Sequence, residues 1–103
     1  MKFLVCGGRD FNDEGMVRAV LGRLLRPGDV VVHGAARGAD SLAGKVAREM
    51  GNEVRPYPAN WRLHGKAAGP IRNAEMIDLE RPEVVIAFPG GSGTRDMIDK
   101  ATR

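Results

Sequence analysis

Residues 29–50 read DVVVHGAARGADSLAGKVAREM, and this stretch predicts one complete unit of strand, turn and helix. DVVVH, at residues 29–33, is rich in β-branched residues, which favour a buried strand. GAARGAD then turns the chain, and Asp40 or Ser41 can cap the following helix. The helix is expected to stop at Gly51, because glycine suits the left-handed conformation that ends many helices. Its core-facing residues are expected to be Leu42, Ala43, Val46, Ala47 and Met50.

The same unit recurs on both sides of this stretch. Further strands are predicted at residues 2–6, 53–57 and 83–88, and further helices from Asn12 or Asp13 to the stop at Pro27 and Gly28, at 70–79 and at 94–102. Apolar residues at helical spacing predict which faces of these helices are buried. The residues are Met16, Val17, Val20, Leu21, Leu24 and Leu25 in the first helix, Ile71, Ala74, Met76 and Ile77 in the third, and Met97, Ile98 and Ala101 in the last.

Strands that alternate with helices, each strand an apolar run, indicate a parallel sheet covered on both faces. We therefore expect a single domain over residues 1–103, an α/β Rossmann-like fold of three layers with an open, mainly parallel four-stranded sheet. Pro56 and Pro58 indicate that the third strand lies at an edge, and residues 59–69 are irregular. The usual last strand is lacking, so the fourth strand has an unpaired edge or meets another subunit, which favours a homo-oligomer, with a dimer first.

Composition limits the classes of protein that this chain can belong to. Of its 103 residues 43% are hydrophobic and 28% charged, as in globular proteins. Without a long apolar run or a signal peptide, we expect a cytoplasmic protein with no membrane partner. Cys6 is the single cysteine, which excludes an internal disulfide, and we expect its side chain to pack in a buried strand. The net charge of +3 favours small anionic ligands over nucleic acid, because no block of basic residues is present.

Three predicted strands end in turns of small residues that precede helices: GGRD at 7–10, GAARGAD at 34–40 and PGGSGT at 89–94. Parallel strands end at one edge of their sheet, so these turns converge and direct helix N-termini at a common space that suits an anion. PGGSGT has the most glycine and hydroxyl groups, whereas each of the other two turns can also be a tight connection. The candidate ligand-binding residues here are Gly7, Gly8, Arg9, Gly34, Arg37, Gly38, Asp40, Gly90, Gly91, Ser92, Gly93 and Thr94.

A second group of candidates lies in NWRLHGKAAGPIRN, residues 60–73. Lys66, Arg72 and Asn73 are expected to contact the ligand, and Trp61 either stacks on a nucleobase or packs the loop onto the sheet. An arginine near a helix start is expected to need a compensating anion or carboxylate. His33 faces the site or is a hydrogen-bonded structural residue. The chain has no HExxH, GKS or GKT, no GxGxxG after the first strand and no GxSxG, so we expect neither a metal nor a cofactor.

Three segments together resemble the SLOG superfamily: VVHGAARGADSLAGKVA, HGKAAGPIRNAEM and FPGGSGTRDM. This Rossmann-like group unites the Smf/DprA DNA-processing proteins, the LOG phosphoribohydrolases and the YpsA-like proteins, and the chain is most similar to its YspA-like subfamily. The resemblance covers nearly the whole chain. It implies a Rossmann-like sheet with a site for a nucleotide or a nucleotide derivative at the loop edge, and Arg72 matches the arginine that precedes the LOG glycine motif.

One departure from the LOG pattern bears on catalysis. LOG enzymes carry PGGxGTxxE, and Met97 occupies the glutamate position here, where we expect it to pack in the core. The remaining candidate acids are Asp96, Asp40 and Asp10. The sequence therefore favours binding, sensing or processing of a nucleotide-derived phosphate ligand. A LOG-like N-glycosidic hydrolase of nucleoside 5'-monophosphates and a DprA-like binder of single-stranded nucleic acid are the alternatives.

Overall fold

The computed structural model describes residues 1–102, which form an α/β fold of four strands and five α-helices. The strands are β1 (Lys2–Cys6), β2 (Val30–His33), β3 (Glu53–Pro56) and β4 (Val84–Ala87). The helices are α1 (Glu14–Leu24), α2 (Ala39–Glu49), α3 (Trp61–His64), α4 (Ala68–Glu80) and α5 (Ser92–Ala101), and a 3-10 turn at Gly65–Ala67 joins α3 to α4.

The sheet is parallel throughout, in the order β3-β2-β1-β4. Leu4 in β1 aligns with Val32 of β2 on one side and with Val85 of β4 on the other. The open parallel sheet is thus confirmed, as is the edge position of β3, whose last residue is Pro56. Within residues 1–102, β4 forms the opposite edge. A subunit contact at that edge stays a prediction.

Helices cover both faces of the sheet, which confirms the three-layer Rossmann-like arrangement. Alternate strand residues point to opposite faces, so β1 contributes Phe3 and Val5 to one core and Leu4 and Cys6 to the other. The first core lies under α1 and α2 and includes Val17, Leu21, Val31, Ala43 and Val46. The second lies under α4 and α5 and includes Val32, Met76 and Met97. Cys6 is buried in its strand, as expected.

The buried helix faces are narrower than their apolar patterns predict. Met16 and Leu24 of α1, Met50 after α2 and Ile98 of α5 are all at least 40% exposed, so their predicted burial is wrong. The buried residues are Val17 and Leu21 in α1 and Leu25 directly after it, which repeat every four residues. Residues one position away point about 100° to the side, and among them Val20 is only partly buried against the core.

Several helix starts also differ from the prediction. Asp13, one of the two alternatives, caps α1 and accepts a hydrogen bond from the Met16 N–H at 3.0 Å. Neither Asp40 nor Ser41 caps α2, because Gly38 occupies that position. Helix α5 begins two residues earlier than predicted and α4 begins at residue 68 rather than 70. The segment predicted to be irregular contains α3, which Asn60 caps through the Leu63 N–H.

Glu80 anchors the end of α4 to the sheet. Its buried carboxylate accepts hydrogen bonds from the Tyr57 hydroxyl at 2.5 Å and from Arg55 at 2.9 Å, and lies 3.0 Å from the Lys2 ammonium. These three partners belong to β1, β3 and the residue after β3. The contacts fix α4 relative to the strands, and α4 carries Arg72 and Asn73 of the candidate site.

His33 is a structural residue at the end of β2. Its Nδ1 accepts a hydrogen bond from the Ala35 N–H at 2.9 Å, and the side chain is buried against α2. The proton of the neutral ring therefore lies on Nε2. Burial, together with the charges of Arg48 and Arg72, lowers the pKa of His33 from 6.5 to about 4.

This shift predicts that acid destabilises the protein. Between pH 6.5 and 4 the unfolded chain binds a proton at His33 that the folded chain does not, so stability falls as the pH drops. At pH 5 the loss from this group is about 2 kcal/mol. The variant His33→Asn keeps an acceptor but does not titrate. Urea unfolding at pH 7 and pH 5 should show the loss in the wild type and not in the variant, and equal losses in both would contradict the assignment to His33.

Candidate ligand-binding site

The three glycine turns are in direct backbone contact. The Gly8 N–H donates to the Pro89 carbonyl at 2.8 Å, which joins the turn after β1 to the turn after β4. The Gly8 carbonyl in turn accepts a hydrogen bond from the Ala39 N–H at 3.1 Å, at the start of α2. The convergence of the turns that follow β1, β2 and β4 is therefore confirmed.

Two glycines make this contact possible. A Cβ at Gly90 would lie 2.6 Å from the Gly8 nitrogen and 2.9 Å from the Thr94 Cβ, which is closer than atoms can pack. Gly38 has a φ of +79°, and a Cβ there would overlap the carbonyl oxygens of Gly8 and Arg9. Both glycines are thus required for the turns to touch.

The turns surround a cleft of about 1010 Å³, at the upper end of the size of ligand pockets. Most of the predicted ligand-binding residues line it: Gly7, Gly8, Arg9, Gly34, Asp40, Lys66, Arg72, Asn73, Gly90, Gly91, Ser92, Gly93 and Thr94. Arg37 lines a neighbouring cavity, and Gly38 lines neither of the two. The cleft is also lined by residues that were not proposed as ligand contacts, including Phe11, Pro70 and Met76.

The turn after β2 is filled by the protein's own carboxylate. Asp40 Oδ2 accepts hydrogen bonds from the N–H groups of Gly34 at 3.0 Å and Ala36 at 3.2 Å. Asp40 is buried, and burial raises its pKa, although the two hydrogen bonds and the nearby charge of Arg72 act in the opposite direction. The backbone amides of Gly34 and Ala36 are therefore occupied without a ligand.

The turn after β4 has no such carboxylate. Helix α5 begins after Gly91, and no side chain within residues 1–102 caps its first turn. The first N–H groups of a helix have no partner inside the helix, and those of Ser92 and Gly93 belong to exposed residues that line the cleft. Thr94 differs, because its buried side chain packs against Gly90. Of the two glycine-rich helix starts, that of α5 is the one open to an anion.

Arg72 and Asn73 connect these two turns. Arg72 donates a hydrogen bond to the Gly34 carbonyl and another, from Nε, to Asn73 Oδ1 at 3.0 Å. Asn73 Nδ2 donates to the Gly93 carbonyl at 3.2 Å. Burial lowers the pKa of Arg72, and the charge of Asp40 opposes this effect. Asp40 is thus the compensating carboxylate expected for this arginine, which lies in the second turn of α4 rather than at its start.

The three candidate acids have different surroundings. Asp40 is held by backbone amides, and Asp10 is almost fully exposed and forms an ion pair with Arg37 at 3.3 Å. Asp96 lines the cleft, where Asn73 Nδ2 donates to it at 3.0 Å and Lys100 Nζ lies 2.6 and 2.7 Å from its two oxygens. All three acids line the cleft and each has a partner within the protein, so a ligand contact of any of them stays a prediction.

Two other side chains, Met97 in the core and Cys6 at the cleft, are unsuited to catalysis. Met97 is completely buried among Leu4, Val32 and Met76, which confirms that it packs in the core. Burial, together with the charge of Asp40, raises the pKa of the Cys6 thiol to about 11, so the thiol stays protonated at neutral pH.

Within residues 1–102, no three His, Cys, Asp or Glu side chains are grouped as metal ligands. The same part of the chain contains no helix long and apolar enough to cross a bilayer.

Trp61, at the start of α3, is the aromatic residue at the mouth of the site. It is 48% exposed and lines both cavities, and the Arg9 guanidinium lies 5.1 Å from the centre of its ring. Its edge lies against α4, since a Cβ at Gly69 would be 3.4 Å from the indole. Trp61 thus contacts α4 and also presents surface to the cleft, and its stacking on a nucleobase stays a prediction.

The comparisons with known proteins agree with this architecture. The family model YAcAr, described as the YspA, cpYpsA-related SLOG family, matches residues 1–64, more than half of the chain. The chain belongs to this SLOG family. It is also similar to the Gene 61 protein of Mycobacterium phage D29, with 39% identity over 112 residues that cover 99% of this chain and 89% of the phage protein. No solved structure matches the chain significantly.

Membership of the SLOG family confirms the resemblance found in the sequence motifs. The matched region runs from β1 through α3 and includes the first two glycine turns and Trp61. Arg72 and the turn at 89–94 lie beyond it, within the region that aligns with the phage protein. The complete site therefore combines residues from both parts of the chain.

Proposed function

We propose that this SLOG domain binds a nucleotide or a nucleotide-derived ligand through a phosphate at the start of α5. The observation that carries the proposal is the uncapped first turn of α5, which opens into the cleft of about 1010 Å³. Free backbone N–H groups and the positive end of the helix dipole favour a phosphate at such a position. Family membership supports a nucleotide-related function in general terms.

The side chains around the cleft support a ligand with polar parts as well as a phosphate. Arg9, Lys66 and Arg72 line it, but so do three acids, Asp10, Asp40 and Asp96. Because these formal charges balance, the attraction for phosphate rests mainly on the backbone of α5. We expect Asp96, which lines the cleft, to accept hydrogen bonds from ribose hydroxyls, and the exposed face of Trp61 to offer a stacking surface for a base.

Gly93 offers a direct test of the phosphate position. A Cβ at Gly93 would meet no atom within 4 Å, so the fold tolerates a side chain there. Gly93→Asp places a carboxylate in the first turn of α5, where it stabilises the helix by about 0.3–1 kcal/mol and competes with a phosphate. We expect the affinity for AMP, measured by titration calorimetry, to fall at least about tenfold.

The matched control is Gly93→Asn, which has nearly the same shape without the charge. It is expected to bind AMP more tightly than the aspartate variant by several-fold or more. Equal affinities in the two variants would contradict a phosphate at α5. Calorimetry and thermal-shift assays of the folded wild-type protein test the proposed function itself. Failure to bind AMP, ADP and cyclic AMP would contradict it.

A further inference from the structure

A second cavity of about 410 Å³ opens beside the cleft. We call it the arginine annex, because three arginines line it: Arg9, Arg37 and Arg72. The other lining residues are Gly34, Ala35, Ala36, Pro58, Ala59 and Trp61. Arg9, Arg72 and Trp61 line the cleft as well, so a single ligand can extend from one space into the other.

Within residues 1–102, the lining of the annex has basic side chains and no acidic one, in contrast to the lining of the cleft. Among the described residues, no carboxylate lines the annex; Asp10, which pairs with Arg37 at 3.3 Å, and Asp40, whose charge acts on Arg72, lie outside it. Like charges in a concave space repel, and an anion that enters relieves the repulsion. The annex is therefore suited to an anionic group, and far less to a neutral or cationic one.

The arginines keep hydrogen-bond donors that the protein does not use. A guanidinium has five N–H donors. Arg9 donates no hydrogen bond to any residue within 1–102 and rests over the Trp61 ring. Arg37 makes one hydrogen bond, at 3.3 Å, to the exposed Asp10, and Arg72 donates from Nε and one terminal nitrogen. Each of the three retains donors that can bind an oxyanion.

The wall that carries Arg37 is held in place by the fold. Ala35 has a φ of +58°, in the left-handed region that residues with a side chain seldom adopt, and its N–H is bound by His33. Asp40 fixes the next residue, Ala36, through its N–H. Arg72 is held from the other side by its bonds to Gly34 and Asn73. The backbone of this wall and the Arg72 side chain are thus held in place by hydrogen bonds within the fold, which reduces the entropy cost of binding.

We propose that the arginine annex binds a second anionic group of the same ligand, so that the ligand is a nucleotide with two phosphates rather than one. This inference rests on the proposed function, which puts the first phosphate at α5. The second phosphate is either adjacent to the first, as in a nucleoside diphosphate, or separate from it, as in a nucleoside 3',5'-bisphosphate. Both provide the chemistry that three arginines recognise, namely a compact oxyanion with several acceptor oxygens.

The test compares three adenosine ligands by titration calorimetry at one salt concentration: AMP, ADP and adenosine 3',5'-bisphosphate. In the wild type, at least one of the two-phosphate ligands should bind tenfold or more tightly than AMP, and the better one identifies the spacing. Arg37→Gln should remove most of this advantage while the affinity for AMP changes less than twofold. The matched control is Arg62→Gln, because Arg62 is exposed on the nearby α3 and lines neither cavity.

Each other outcome identifies which proposal fails. If AMP binds and neither two-phosphate ligand binds more tightly, the annex has no second anion and the proposal for α5 survives. If Arg37→Gln weakens AMP as much as the two-phosphate ligands, or Arg62→Gln has the same effect as Arg37→Gln, the selectivity is general electrostatics and the annex proposal is overturned. If a folded protein binds none of the three, both proposals fail.

Discussion

Gly38→Ala is expected to destabilise the protein by about 4 kcal/mol, from a strained backbone and forced overpacking that each cost about 1–3 kcal/mol. The φ of Gly38 is +79°, and the added methyl group would overlap the backbone oxygens of Gly8 and Arg9. Backbone atoms at this point cannot shift cheaply, because the Gly8 carbonyl also accepts the Ala39 N–H at 3.1 Å. Urea unfolding followed by circular dichroism measures the loss.

Two other glycine variants separate the causes of this loss. Gly51 also has a positive φ, of +83°, but a Cβ there would meet no atom within 4 Å, so Gly51→Ala is expected to cost about 1–2 kcal/mol from strain alone. Gly22 lies on the exposed side of α1 with open space around it, and Gly22→Ala is expected to stabilise the protein by about 0.5–1 kcal/mol. A Gly38→Ala variant no less stable than Gly51→Ala would contradict the contact between the first two turns.

The order of the elements could be predicted from the sequence because it depends on local patterns. Runs such as VVVH and VVIA are apolar on both faces, which is the property of a central or covered parallel strand. Helix boundaries that depend on nearby residues could be predicted: the end of α2 at Gly51, and the start of α1 at Asp13 as one of two alternatives. The start of α2 was predicted wrongly, because the Asp40 carboxylate accepts hydrogen bonds from the Gly34 and Ala36 amides of the preceding turn and does not cap the helix.

The location of the candidate site at one edge of the sheet could be predicted from the sequence. Which of its turns is occupied by a side chain and which is open could not. The glycine turns specify convergence, since parallel strands end together. The sequence cannot show that Asp40 fills one turn while the start of α5 remains open, because both turns contain glycine and are followed by a helix. The contact between Arg9, in the first turn, and Trp61, in α3, could not be predicted either. The two residues are far apart in the sequence, and local patterns do not relate such residues.

Met97→Glu is expected to destabilise the protein by several kcal/mol and to confer no hydrolase activity. The substitution restores the acid of the LOG motif, but the Met97 side chain is completely buried in the core under α4 and α5. A glutamate at this position enters the core rather than the cleft, and burial raises its pKa. Because the folded state then binds the proton more tightly than the unfolded state, the loss of stability should shrink as the pH falls toward 4.

Two control variants distinguish charge from shape and polarity. Met97→Leu is expected to cost less than about 1.5 kcal/mol, because it conserves volume and polarity. Met97→Gln has the shape of the glutamate variant without its charge, so its stability relative to the wild type should vary little between pH 8 and pH 5. Activity is followed as adenine released from AMP. A Met97→Glu protein as stable as the wild type, or one that releases adenine above the level of the glutamine variant, would show that this position reaches the ligand. In that event position 97, and not Asp96, would be the position in α5 from which an acid meets the ligand.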